Sequence, residues 1–588
     1  MYSDAMREAK HSKIERARVR TSSTQRRVLP VLEASYYLDN FSMVLSTILS
    51  RYADLLAPDE QRFITEFAKV PRHSQSLLVR MVMRRGDLFR ASRLQYAEIG
   101  DTRTAAVPLI EGGWITDRPM LDVERLQGVL TKPELIRCFR LPRRYAVWRK
   151  PDLIAMLTPQ FARPRCFADW WPGQVDVVYA LLVAPACERF RLMFFGNHRQ
   201  GWSDFVTADL RIFKYEQIER TLHSRPFQTR AHIEAFERLQ ECRELFEQGM
   251  PLADLLQIIP QPIEGGCWIE DRRQKLLFSI AREFERAGEV DTALSLYLHC
   301  SHRGARTRAI RLKARARDWE ATRALCLDAQ KLPESEAELQ YLRRVLPRAS
   351  RQLGIADAAV DTAPTIPRFD LALEDVRGAG AVEYGVRDHL ARGLADCSTV
   401  RYVENGLINA LFGLLCWPAI FAPITGAFFH SFQRAPADLA SVHFYRRRRG
   451  YFDECLSQLK SGRYRQAIWR TYGQKWGIQS PFVRWHGLDR TLLTWALDCF
   501  PATHLQLWFE WIARDVEENR TGFPDLVQFW PDENKYRLIE VKGPGDRLQN
   551  NQRRFLEFCV SHGMPVSVCY VRPAAGMLAP ISMDLYCQ

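Results

Sequence analysis

Two strand-like runs late in the chain, Asp525 to Trp530 and Lys535 to Val541, flank the turn tetrad Pro531-Asp532-Glu533-Asn534. A tight turn fixes the register of the strands it joins, so this segment restricts the fold more than any other. Pairing Trp530 with Lys535 sets Asp525 directly opposite Glu540. Opposed residues share a face of the sheet, with Cβ atoms about 4.5–5.5 Å apart, and like charges so placed repel. The arrangement therefore asks for cations. Lys542, two residues after Glu540, points to the same face and supplies one charge; a divalent metal can supply the rest. Val541 turns its side chain away, while its carbonyl is a further candidate oxygen ligand. Hard oxygen ligands with positions left open to water favour Mg²⁺ or Mn²⁺.

After the second run, the turn Gly543-Pro544-Gly545 leads into a helix predicted to open at Asp546. Leu548, Gln552, Phe555, Leu556 and Cys559 fall on one stripe of it, which makes Gln552 the polar member of an inward face. Either that amide serves the site or the backbone satisfies it. Upstream, Glu404 heads the apolar stripe Leu407, Ile408, Leu411 and Leu415 and is the candidate for one more inward carboxylate. A Glu so placed is costly without a partner; a helix cap or a surface Glu is the rival reading.

Pro524-Asp525 followed by Glu540-Val541-Lys542 is the signature of the PD-(D/E)xK nucleases. The string GFPDLVQFW...RLIEVKGPGDRLQNNQ resembles the virus-type replication-repair nuclease domain. Together with YYLDNF...LLVRMVMRRGDLFRASRLQYAEI and NALFGLLCWPAIF...FQRAPADL, it makes the chain resemble the Fanconi-associated nuclease family over nearly everything after the first 35 residues. The resemblance implies an N-terminal DNA-binding domain with a SAP-type unit, a tetratricopeptide-like domain and the nuclease. It implies metal-dependent cleavage of branched DNA, chiefly 5′ flaps, with 5′-to-3′ exonuclease action in interstrand crosslink repair. Residue by residue, it implies metal-binding carboxylates at Glu404, Asp525 and Glu540, a catalytic lysine at Lys542 and an accessory active-site residue at Gln433. Arg547 and Gln552 fall within matching motif positions, the first as a DNA contact and the second as a catalytic-core glutamine. The chain departs from the pattern where glycines commonly flank the first Glu, which here are Val403 and Asn405. Where some animal members place basic residues for the flap's 5′ phosphate, this chain has Glu517 and Asn551. No ubiquitin-binding zinc finger precedes the matching part, as expected of a bacterial-type member.

The 588 residues exceed what one hydrophobic core supports, about 250–300, so several domains follow. With 47% apolar and 26% charged residues the chain is neither fibrous nor wholly disordered. Its 83 Lys and Arg against 69 Asp and Glu leave a net charge of +14, which draws it to polyanions, nucleic acid before an acidic membrane surface. Much of that charge is Arg, which suits phosphate and which a GC-rich genome would also produce. The 14 cysteines contain no CxxC and no zinc-finger spacing, which fits reduced thiols in a cytosol-like compartment. Residues 406–429 carry no charge, yet Asn409, Pro418 and Pro423 interrupt them. They read as a buried helix of about 12–14 residues, a Pro-bounded turn and a second helix, rather than a membrane span.

The expected organisation is a disordered basic tail over 1–28, with no apolar signal segment, then a helical DNA-binding domain over 29–118. That domain rests on the stripe Leu32, Tyr36, Leu38, Phe41 and Val44 and on the run QSLLVRMVMRRGDLFRASRLQYAEI, where basic and aromatic residues interleave. A SAP-like unit covers 119–160, with helices in VERLQGVLTKPELIRCFR and WRKPDLIAML joined by LPRRYAV. Around its joint Lys132, Arg137, Arg140, Arg143, Arg144, Arg149 and Lys150 could lay cations on adjacent phosphates, which position without specifying sequence. An α+β extension over 161–250 follows, in which VDVVYALLV, RFRLMFFG and ADLRIFKY read as a short antiparallel sheet. A tetratricopeptide-like helical domain spans 251–352, with Ala281, Gly288, Ala293 and Tyr297 at the small and aromatic positions of a helix pair. A linker over 353–370 leads to the virus-type nuclease domain over 371–588. The fold class expected is thus multidomain, mainly α with α/β. Its C-terminal restriction-endonuclease-like core has a mixed sheet flanked by helices and follows helical and small α+β domains. The expected partner is branched or flapped DNA, not a membrane, at the nucleoid of a bacterial-type cytoplasm. A sequence-specific restriction-type nuclease would need a base-reading element, and no helix-turn-helix or zinc finger is evident. A non-catalytic repair scaffold is opposed by the intact set Asp525, Glu540 and Lys542.

Overall fold

The structure, a computed structural model, describes residues 36–197, 200–202, 213–219, 221–355, 364–373, 381–392 and 398–574. The tail expected over 1–28 and the middle of the expected linker lie outside them. The described residues fall into two compact units, one drawn from those within 36–42, 70–181 and 202, the other from those within 43–69, 182–201 and 213–574.

In the first unit the helices Arg72–Val82 and Thr102–Glu111 accompany a small antiparallel sheet. Its strands are β1 (Leu88–Arg90), β2 (Ile115–Thr116) and β3 (Val178–Leu181), with β3 in the centre. Asp101 opens the second helix by accepting from the Arg103 and Thr104 amides, the usual work of a short acidic N-cap. Part of the basic and aromatic interleaving is used internally. The Arg80 guanidinium lies 3.9 Å from the Tyr37 ring and 4.7 Å from the Tyr96 ring and pairs with Glu98 at 2.6 Å.

The SAP-like segment divides its first predicted helix in two, Val123–Val129 and Lys132–Cys138, because Thr131 and Glu134 form a capping box with Pro133 in the new first turn. The helix Lys150–Leu157 completes it around Leu121, Leu126, Leu135, Ile154 and Trp170. Arg90 on β1 holds both Glu134, at 2.5 Å, and Asp176, at 2.6 Å.

The antiparallel sheet expected from residues 173–213 is corrected. Only Val178–Leu181 is a strand, and RFRLMFFG lies in a helix, Ala184–Phe195. Pro185 stands in its first turn and Gly196, at φ 66°, closes it. Cys187 and Phe190 are buried, and so is the unbroken run Leu192–Phe195, whose last-turn burial on every side blurred the helical period that Glu188 and Arg191 leave on the earlier turns. Residues 203–212, part of the third expected strand, lie outside the described set.

In the second unit successive antiparallel helices stack: Cys267–Ala287, Val290–His299, Ala305–Arg315, Trp319–Lys331 and Glu336–Gln352. Gly288, at φ 86°, ends the first of them, and Ala281, Ala293 and Tyr297 are buried between the first two.

The expected linker also needs correcting. Its last residues begin a strand, β4 (Arg368–Leu373), whose polar and apolar residues alternate. With β5 (Thr399–Tyr402), β6 (Leu526–Trp530), β7 (Lys535–Lys542) and β8 (Val566–Pro573) it forms a mixed sheet of order β4-β8-β7-β6-β5. β8 runs parallel to β4 and β7, while β6 is antiparallel to β5 and β7. Alternation along the strands builds a core on each face. Val527, Phe529 and Leu538 join a large cluster with Leu411, Trp508 and Phe555. Leu526, Ile539 and Val541 join a smaller one with Val386 and Val571.

The uncharged segment after Glu404 folds as two buried helices, Leu407–Leu415 and Trp417–Ile420. The first is shorter than expected, because Cys416 breaks it and Pro418 falls in the first turn of the second. Among the described residues no helix is long and apolar enough to cross a membrane.

Candidate active site

The turn Pro531–Glu533, with Asn534 left-handed at φ 51°, sets the β6–β7 register from Trp530↔Lys535 to Leu526↔Ile539. One step further along that register stands Asp525 across from Glu540, on the face shared by Val527 and Leu538. Asp525 Oδ2 accepts from the Val541 amide at 2.9 Å, and the Asp525 carbonyl accepts from the Val403 amide at 2.8 Å. Two strands and the Glu404 loop therefore meet at one point.

Glu540 is fully buried, and Lys542 Nζ stands 2.8 Å from its Oε1. Neither Glu540 oxygen accepts an aligned hydrogen bond. Burial, reinforced by the Asp525 charge and opposed by Lys542, pushes the Glu540 carboxyl up to about 8. Burial likewise raises Asp525 to about 6, against the Val541 amide and Lys542, with Glu383 and Glu404 adding to the rise. Both carboxylates are short of positive charge.

Glu404 lies not on the helix but in the exposed turn before it. Its Oε2 accepts from the Tyr402 hydroxyl, and Asn405 Nδ2 donates to its Oε1 at 3.4 Å. Tyr402 packs on Tyr384 with ring centroids 5.3 Å apart, and partial burial and Glu404 raise its hydroxyl far above the ordinary tyrosine value. Asn405 adopts φ 48°, and its Oδ1 accepts from the Phe523 amide at 3.1 Å. It thus supplies the left-handed backbone that a glycine would allow, and adds a strut to the strand that carries Asp525.

The donor set suits a divalent cation: two buried carboxylates with raised proton affinity, unbonded oxygens on Glu540, and an exposed carboxylate whose charge reaches both. Among the described residues no three such ligands close round one point; Glu404 is bonded to Tyr402 instead.

Tyr402, Asn405 and Glu383 were missed by sequence reasoning. The Asn405-Gly406 dipeptide was a turn signal that could have found the second; nothing in the sequence marks the other two.

Other expected site residues have hydrogen-bond partners or surroundings of their own. Gln552 Oε1 accepts from the Gln549 amide at 2.9 Å, so of its two readings the structure has the amide satisfied by backbone. That capping box starts the helix at Asn550, not Asp546, whose Oδ2 is held by the Gly543 amide at 3.1 Å. Gln433 spends its amide on the backbone of its own loop, accepting from Phe429 and His430 and donating to Ala427 and Ala435. It bonds none of the three carboxylates. Arg547 is exposed just before the helix. Asn551 donates to Thr521, and Glu517 lies 3.6 Å from Arg303.

In the basic cluster, Lys132 Nζ donates to the Ala146 carbonyl at 2.6 Å and Lys150 Nζ to the Gln127 carbonyl at 2.5 Å. Arg137 lies 5.6 Å from the Trp171 ring. Arg140, Arg143, Arg144 and Arg149 are exposed, and among the described residues none of them is in an ion pair.

Across 540 residues the chain is 50% identical to the Fanconi-associated nuclease 1 homolog of Pseudomonas aeruginosa, covering 92% of this chain and 96% of that protein. The chain belongs to the Fanconi-associated nuclease family. Family models match as "FAN1, HTH domain" over residues 35–116, as the Fanconi anemia-associated nuclease SAP domain over 120–170 and as the VRR-NUC domain over 459–573. The first corrects the expectation that no helix-turn-helix is present. β1 stands between the helices Arg72–Val82 and Thr102–Glu111, so the segment does not read as paired helices. Human Fanconi-associated nuclease 1 is 23% identical over 647 residues, 91% of this chain and 62% of that one. A crystal structure of paFAN1 bound to 5′-flap DNA with a gap and a 2-nucleotide flap matches with TM-score 0.80 at 50% identity, over 92% of this chain and 99% of that one. A second, with a 1-nucleotide flap, gives 0.77. The family's nuclease domain depends on a divalent metal.

Proposed function

We propose that this member is a structure-selective DNA nuclease that cuts phosphodiester bonds near 5′ flaps and branches and degrades ends 5′ to 3′. It acts at the nucleoid, in the cytoplasm, on damaged DNA that includes interstrand crosslinks. The observation that carries the reading is the buried, undercharged pair Asp525 and Glu540 with Lys542 Nζ 2.8 Å from Glu540. Asp525, Glu540 and Glu404, with the Val541 carbonyl, would hold Mg²⁺ or Mn²⁺, which supplies a more acidic water and neutralises charge gathering on the scissile phosphate.

The chain's own groups do the rest. The Val541 amide fixes the Asp525 carboxylate, and the sheet keeps bulk water from Glu540. Lys542 brings a point charge to orient the attacking water and to stabilise charge developing on the phosphate. Arg547 and the arginines of the SAP-type unit hold phosphates. Gln433 and Gln552 support the site by fixing the backbone around them.

The test is cleavage of labelled 5′-flap, 3′-flap, duplex and single-stranded DNA of several sequences, with and without Mn²⁺. Products should depend on geometry and not on sequence, and Asp525→Ala should abolish them with DNA affinity largely kept. Cleavage at near wild-type rate by Asp525→Ala would overturn the assignment.

A further inference from the structure

In the SAP-type unit, two lysines expected at phosphates brace a loop. Lys132 clamps the Ala146 carbonyl at 2.6 Å, and Lys150 clamps that of Gln127 at 2.5 Å. Arg143–Val147 forms a 3₁₀ turn between them, and Arg140 just before it is held at φ 49°. The turn stays short and stiff. At its crest Val147 is 85% exposed and Trp148 40% exposed, and the Trp148 ring stands edge-on to Tyr145 at 5.0 Å. Single exposed apolar residues are ordinary. Two adjoining ones on a braced crest, with Arg143, Arg144 and Arg149 exposed at its base, are a different surface. Its apolar tip matches a base and its charged skirt matches the phosphates on either side.

We propose that Val147 and Trp148 form a rigid wedge that stacks on a base exposed where duplex stacking is interrupted, at a gap or a branch, while the flanking arginines hold the backbone. This rests on the DNA nuclease reading and adds to it how the protein recognises a break in the helix. Stacking on an aromatic ring is indifferent to sequence because every base offers a π face. Intact duplex must first be unstacked, which costs free energy that a break has already spent. The wedge therefore favours interrupted DNA over continuous DNA without reading bases. Because the crest is braced before binding, little ordering is left to oppose it.

The test is binding measured by fluorescence anisotropy in EDTA, with a duplex carrying a short gap and 5′ flap and with the same duplex uninterrupted. Trp148→Ala should weaken binding to gapped DNA about 5- to 160-fold, the value of one stacked base, and binding to intact duplex less than about twofold. Trp148→Phe should keep most of the preference. A 2-aminopurine placed beside the gap should be quenched by the wild-type protein and not by Trp148→Ala, and the wild-type measurement stands even if that variant folds poorly. Unchanged affinity for gapped DNA, equal loss on both DNAs, or no quenching by the wild type overturns the wedge. Because binding is read without metal, failure of the nuclease reading would show separately, as a wild-type protein that cuts no flap in Mn²⁺.

Discussion

Replacing Glu540 by Gln keeps the shape of the side chain and removes its charge. The substitution should abolish cleavage in Mn²⁺ and yet, in protein freed of divalent cations, stabilise the fold. An ordinary Glu titrates near 4.5, and burial with the Asp525 charge pushes Glu540 to about 8. Between those values the unfolded chain has released a proton that the folded chain still holds. The stability linked to this group is therefore complete below the unfolded value and is lost as pH rises through the folded one. At about 1.36 kcal/mol per pH unit, the carboxylate costs under about 1 kcal/mol near pH 5, about 3 at pH 7 and about 5 above pH 9. The rise of Asp525 to about 6 contains the same mutual repulsion, so the two costs do not add, and about 2 kcal/mol at pH 7 is the working expectation. If the nuclease region expected over 371–588 melts by itself, each kcal/mol moves Tm by about 2–4 °C, so the variant should melt about 4–8 °C above wild type at neutral pH, with the gap closing towards pH 5. Differential scanning calorimetry of both proteins in EDTA across that pH range reads this directly. Added Mn²⁺ should raise the wild type by mass action and leave the variant unmoved. A variant that melts below wild type in EDTA at pH 8 would refute the reasoning, since Glu540 would then be a structural acceptor and not an uncompensated charge.

Lys542→Ala should still bind Mn²⁺ by titration calorimetry and lose about 10²–10⁴-fold in the chemical step; joint loss of metal and DNA binding would make the lysine a structural counter-ion. Replacing Arg140, Arg143 and Arg144 by Ala should weaken binding to every sequence alike and lower the log–log salt slope by about one unit per lost phosphate contact. An unchanged slope would leave those arginines as solvated surface. Tyr402→Phe removes the hydroxyl that competes for Glu404 and should tighten Mn²⁺ binding about fivefold, the net worth of one hydrogen bond. Weaker binding would mean that the phenol holds Glu404 in place for the cation.

The hairpin was legible because its information is local. Pro531 to Asn534 dictate a turn, the turn dictates the pairing, and the pairing places Asp525 against Glu540 before anything else about the fold is known. The helix Ala184–Phe195 was misread for the opposite reason: its last turn, Leu192–Phe195, is buried on every side and carries no period, and Pro185 and Gly196 remained to mark its ends. Glu404 could be found as a residue but not as a geometry, since its partner Tyr402, at the end of β5, packs on Tyr384 of the helix Ala381–Arg392. Lys132 and Lys150 had the charge of phosphate ligands, yet their carbonyl partners, Ala146 and Gln127, depend on tertiary folding that composition does not encode.

The sheet order bears on when this protein can become active during its own synthesis. β7, which carries Glu540 and Lys542, is flanked by β6 and β8, and β4 finds its sheet partner in β8 alone. Closing so long a stretch of chain between β4 and β8 is entropically slow. While β8 remains inside the ribosome the hairpin has an open edge, and water reaches the carboxylates that the finished sheet buries. In a nascent chain β4, β6 and β7 are therefore made before the strand that completes the site, and the carboxylates of β7 are buried only once β8 has joined the sheet.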